Sequence, residues 1–104
     1  MFDGHQMLTG TTVVFRNGLI TGVGEAVPEE ADVVDGDGCT LLPGLIDAHV
    51  HTSRDGLRAA LNFGVTTELE MQGHWTHAQR HSVAGSPDLA DLRSTGFGIT
   101  RRGG

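Results

Sequence analysis

The sequence predicts an α/β protein in which a hairpin-rich β segment leads into a strand, helix, strand unit. Two observations carry this. Thr11 to Arg16 and Leu19 to Val23 are β-prone runs flanking Asn17-Gly18, the dipeptide best suited to a tight type I′ turn. Further on, the mostly apolar run Leu45 to His51 is followed by a helix-start signal and by a second strand-like run, Val65 to Met71. Parallel strands need a crossover of this length, so the second half reads as a βαβ unit.

Taken in order, the hairpin gives way at Gly24 to Glu30 to a stretch broken by Gly, Pro28 and acids. Ala31 to Asp35 offers a short β-branched run, Asp35-Gly36-Asp37-Gly38 a turn, Cys39 to Leu42 a further strand and Pro43-Gly44 a sharp corner. Leu45 to His51 has the character of a strand buried on both faces. Thr52-Ser53-Arg54-Asp55 matches the capping box, in which the Thr hydroxyl and the later carboxylate satisfy free N–H groups at a helix start. Leu57, Ala60 and Leu61 fall on one helical face, and Gly64 can end the helix in the left-handed conformation. From Gln72 onward the chain is polar, with a short helix expected near Ser86-Pro87 and no regular element closing it. A two-stranded parallel sheet cannot shield both its faces, so the expectation is a chain that stops within a fold.

Composition narrows the function classes. The 104 residues hold 13 acids against 7 basic residues, all arginine, for a formal charge of -6, which argues against nucleic acid and against an anionic membrane as partners. The start, MFDGHQ, lacks the charged and apolar regions of a signal peptide, and no apolar run nears about 18 residues. A single cysteine, Cys39, forms no disulfide framework. The expectation is a soluble cytoplasmic protein.

His49-Val50-His51 is the strongest chemical signal. Residues i and i+2 of a strand point to the same side, so both imidazoles converge on one point. Two neutral imidazole nitrogens one pleat apart suit a divalent transition metal, which acidifies a bound water and polarises a carbonyl. The pair closes a strand just before a helix, at the edge of a parallel sheet where α/β barrels place catalytic groups.

Leu41 to His51, read LLPGLIDAHVH, closely resembles the signature of the amidohydrolase superfamily, in the branch of imidazolonepropionase-like and prolidase-like hydrolases. The resemblance extends to Asn17-Gly18-Leu19-Ile20 with Val23-Gly24, to Val34-Asp35-Gly36 with Gly38, and to Ala59-Ala60-Leu61 with Gly64-Val65-Thr66-Thr67 and Glu70-Met71. Glu70 stands where relatives often have Asp. The blocks cover about residues 2 to 73 and are specific in combination.

The resemblance implies a TIM (β/α)8 barrel joined to a small composite β-sandwich, with residues 1–44 in the sandwich segment and residues 45–104 in the first β/α units. A barrel typically needs about 250 residues, so the resemblance also implies an N-terminal fragment of a longer parent, possible as a homo-oligomer. It makes His49 and His51 ligands of a metal, usually zinc, with Asp47 structural or supporting the ligands rather than a ligand itself. Family members complete the site with a carboxylated lysine or an acid, further histidines and a late Asp that acts as base; the chain has no lysine to supply the first. The implied activity of the parent is hydrolysis of non-peptide or cyclic C–N bonds of a small-molecule substrate by metal-activated water. Two histidines fall short of the usual three protein ligands of catalytic zinc, so the 104-residue chain itself is expected to be inactive. The rival reading is a small non-catalytic folding or interaction module that retains the HxH strand.

Other signals read more plainly. His74, His77 and His81 share one face if helical, and could form a second metal cluster or a substrate loop carrying Trp75; a solvated polar loop is the simpler reading. Cys39 has no basic partner in sequence and reads as a small core residue. Asp35 and Asp37 lack the closing acid of a calcium loop, Ser82 and Ser86 lack a nucleophile elbow, and Gly22-Val23-Gly24 lacks the rest of a dinucleotide fingerprint.

Overall fold

A computed structural model describes residues 1–96 and 101–102. The chain divides into two compact units, Met1–Pro43 and Gly44–Gly104.

The first unit is built on the hairpin of β1 (Val13–Arg16) and β2 (Leu19–Val23), paired antiparallel with an irregularity between Val14 and Phe15. Asn17 and Gly18 have φ of 53° and 76°, the two left-handed residues that a type I′ turn demands. Near the N-terminus, Phe2 and Met7 form an isolated bridge around a turn in which the Asp3 carboxylate accepts the N–H groups of His5 and Gln6. The strands expected at Ala31 to Asp35 and Cys39 to Leu42 do not form. Asp35 Oδ1 instead accepts the Asp37 N–H, and the Cys39 N–H bonds the Gly36 carbonyl, so local turns take up the backbone groups that a ladder would have used. Val33 and Val34 are left exposed, and Cys39 is exposed as well, where a core position was expected.

The second unit runs β3 (Leu45–Val50), α1 (Arg54–Asn62), β4 (Val65–Glu70), α2 (His77–Val83), β5 (Asp91–Ser94). The three strands are parallel and adjacent in sequence order, β3-β4-β5. At the corner before β3, a Cβ on Gly44 would overlap the side chain of Thr66, so glycine is required there. Helix α1 starts one residue later than the capping-box pattern suggested: Ser53 is the cap, its Oγ accepting the Gly56 N–H at 3.1 Å. It ends as expected at Gly64, with φ of 82°.

Beyond β4 the structure is more regular than the sequence suggests. Thr76 and Gln79 form a reciprocal capping box that starts α2. The helix expected at Ser86-Pro87 is a turn, with the Ser86 N–H bonded to the Val83 carbonyl and the Leu89 N–H to the Ser86 carbonyl. That turn drops Leu89 and Ala90 into the core and delivers the chain to β5. The core is small: Leu57, Val83, Leu89 and Ala90 are buried, with Ala60, Trp75 and Leu92 packed against them. β3 is not buried on both faces; it lies at the sheet edge, with Leu45 58% and Ile46 65% exposed. Among the described residues no helix is long and apolar enough to cross a membrane.

Candidate metal centre

His49 and His51 sit where β3 ends. The strand puts both on the same stretch of chain, and the structure brings their ring centroids to 5.9 Å, with the planes at 80°. The Asp47 carboxylate accepts the His49 N–H at 3.1 Å, a local bond that coincides with the register irregularity between Asp47 and Val50. A ligating imidazole nitrogen lies about 2 Å from a bound zinc ion, and ring centroids 5.9 Å apart are within the range of two rings that reach one ion. The donor chemistry and spacing therefore fit a divalent metal. They do not complete a site: among the described residues no group of three or more His, Cys, Asp or Glu side chains could hold an ion.

Beside His51 opens a cavity of about 560 Å³, lined by Glu70, Gln72, His74, Trp75 and Gln79 among others. Trp75 donates its Nε1–H to the Thr52 carbonyl at 3.1 Å, which ties the segment before α2 to the segment leaving β3. Trp75 also packs against the core cluster that includes Leu57 of α1, so the cavity wall is anchored there.

The second histidine group lies on α2 and on the segment before it. His77 and His81 lie on α2, one turn apart, with near-parallel rings 6.5 Å between centroids. His74 precedes the helix and lines the cavity with His51. The polar loop expected here is thus partly a helix.

Sequence reasoning singled out Glu70 only as a departure from the family pattern. In the structure its side chain is fully buried at the end of β4, with Oε1 3.8 Å from His51 Nδ1. Glu68, two residues earlier, is also buried, and its Oε2 has no hydrogen-bond partner among the described residues. The available signal was the pair of acids in the strand-like run Val65 to Met71, where burial asks for apolar residues.

Part of the chain is similar to curated enzymes. It is 33% identical to an allantoinase of Escherichia coli over 69 residues, which is 57% of this chain and 15% of that protein. An allantoinase of Salmonella choleraesuis is 35% identical, also over 69 residues, 57% of this chain and 15% of that protein. An adenine deaminase of Methanopyrus kandleri is 48% identical over 48 residues, 46% of this chain and 8% of that protein. Both kinds of enzyme belong to the amidohydrolase superfamily, so these similarities support the resemblance carried by Leu41 to His51. The chain spans about 15% of the length of the allantoinases and less of the deaminase. No protein-family model and no solved structure matches it.

Proposed function

We propose that this chain supplies the first metal-binding strand of a metal-dependent hydrolase that cleaves C–N bonds of a small molecule. His49 and His51 hold the ion, zinc by donor chemistry. In this reading β3, β4 and β5 are the opening strands of a (β/α)8 barrel, and residues 1–44 belong to a small β-sandwich. The observation that carries it is the pair of imidazoles at the end of a parallel strand, 5.9 Å apart and beside a cavity of about 560 Å³. The similarity to allantoinases and an adenine deaminase supports it, as does the sequence-ordered parallel sheet.

When bound, such an ion supplies Lewis acidity and an activated water. The chain's own residues contribute position. His49 and His51 fix the ion at the strand end, and Trp75 with Gln72 and Gln79 walls the space in which a small substrate is held near it. Two imidazoles are one ligand short of the usual minimum, so the chain alone binds metal without turning over substrate.

The test is a Zn²⁺ titration of the chain, followed at the imidazole ring signals by NMR. Both His49 and His51 should respond together at the lowest zinc concentrations, and His49→Ala or His51→Ala should abolish that phase, whereas His74→Ala and His77→Ala should leave it. Persistence of the same phase after loss of both His49 and His51 would overturn the reading.

A further inference from the structure

Two histidines explain the ends of β3 but leave the carboxylate at the end of β4 without a role. Glu70 is held from several directions. Its Oε1 accepts the Gln72 N–H at 3.1 Å, and its Oε2 accepts the Ser94 hydroxyl at 3.0 Å. Ser94 is itself fixed, because its Oγ accepts the Gly96 N–H at 3.0 Å. The loop closes over the side chain at Gly73, where a Cβ would overlap the Glu70 carboxylate. The ladder pairs Glu70 with Val50, which sets the carboxylate next to the residue that follows, His51.

The contrast in exposure decides which partner orients which. The Glu70 side chain has no exposed surface, whereas that of His51 is 60% exposed. A carboxylate held by the Gln72 N–H and the Ser94 hydroxyl, with Gly73 closed over it, does not follow an exposed ring, but the ring can follow the carboxylate. Burying a carboxylate is costly unless it is paired and hydrogen-bonded, and a strand end that served packing alone would be better filled by an apolar side chain. At 3.8 Å, Oε1 and His51 Nδ1 are a small ring rotation from a hydrogen bond.

We propose that Glu70 is a positioning residue for His51: it holds the Nδ1 edge of the ring, so that Nε2 is the nitrogen presented to a divalent cation. This rests on the proposed metal-binding role of His51. A carboxylate behind a ligand histidine fixes the tautomer and the ring direction, and its loss typically weakens metal binding about 10- to 100-fold. Ser94 extends the same support to β5, so all three strands of the sheet contribute to the direction of one imidazole.

The experiment uses the ¹⁵N-labelled 104-residue chain, with long-range ¹H–¹⁵N spectra of the histidine rings at about pH 8, above the ordinary imidazole range. His51 is assigned by His51→Ala. The expected result is a predominantly Nδ1–H tautomer for His51 in the parent chain and a several-fold shift towards Nε2–H in Glu70→Gln, which keeps the volume and removes the charge. Zn²⁺ affinity read at the His51 ring should fall about tenfold or more. Ser94→Ala should move both readouts in the same direction by less. A folded Glu70→Gln chain with unchanged His51 tautomer and zinc affinity overturns the proposal; if that variant does not fold, an unchanged His51 in Ser94→Ala overturns it instead. Zinc binding that needs both histidines but ignores Glu70 overturns the positioning role and leaves the proposed function standing. A tautomer shift with no zinc response at either ring supports the Glu70–His51 pairing and overturns the metal reading.

Discussion

β3 and β4 are neighbouring parallel strands of six residues each, and their burial runs opposite to their composition. β3, with the sequence LIDAHV, is exposed at every residue except Val50, which is half-buried. β4, with the sequence VTTELE, buries its two acids, Glu68 and Glu70. Position in the sheet explains the difference: β4 has a strand on each side and packs with α1, whereas β3 is an edge. Apolar residues alone do not bury a strand; neighbours do. Acids survive inside β4 to the extent that polar partners meet them, as they do at Glu70 and not at Glu68 Oε2.

The largest effect that would break this comparison is a matched pair of truncations. Leu57 on α1 is fully buried in a core that, among the described residues, has three other buried members, so Leu57→Ala should cost about 2–5 kcal/mol. In so small a core that loss should abolish cooperative unfolding of the second unit. Ile46→Ala on β3, at 65% exposure, should stay within about 0.5 kcal/mol of the parent chain. Urea unfolding followed by signals from the second unit measures both, and comparable losses would mean that β3 is covered after all.

A smaller effect of the opposite sign sharpens the account of β4. Glu68 Oε2 is buried without a partner among the described residues, and leaving a polar atom so costs about 1–3 kcal/mol. Glu68→Leu should therefore raise the urea midpoint, whereas Glu70→Leu, which strips partners from Gln72 and Ser94, should lower it. If both substitutions stabilise, the hydrogen bonds to Glu70 contribute less than its desolvation costs.

What could be read from the sequence was what local chemistry determines. Asn17-Gly18 specifies a type I′ turn by itself, and the pattern from Leu45 to Glu70 specifies strand, helix and strand by period and caps. The nearness of the His49 and His51 rings is equally local, since two residues of sequence separate them, although β3 ends at Val50 and its register is irregular after Asp47. The elements that escaped notice are those defined by partners. α2 has a capping box at Thr76 and Gln79, but it reads HAQRHSV and buries only Val83, so no apolar stripe announces it. β5 is four residues, DLRS, that become a strand because β4 offers a free edge from Thr67 to Glu70. Glu70 reaches His51 through parallel register and a glycine-closed loop, neither of which a linear pattern displays.

The smallest expected effect concerns the surface tie on the β4 side of the sheet. Arg58 on α1 reaches Asp88 at 3.0 Å, and Ser86 Oγ donates to the other oxygen of the same carboxylate at 2.6 Å. The Ser86 hydroxyl first, and then Arg58, hold the Asp88 carboxyl below its usual range. A carboxyl lowered on folding stabilises the fold above the ordinary aspartate value of about 3.9, and that contribution disappears as the pH falls through the lowered folded value. Asp88 is exposed, so solvent screens the effect and the shift in midpoint should be small. Asp88→Asn should lower the urea midpoint slightly at neutral pH and match the parent chain in strong acid, where both carry an uncharged side chain. A difference that persists unchanged into acid would show that Asp88 holds the turn before β5 by hydrogen-bond geometry, so that the tie between α1 and the third strand does not depend on charge.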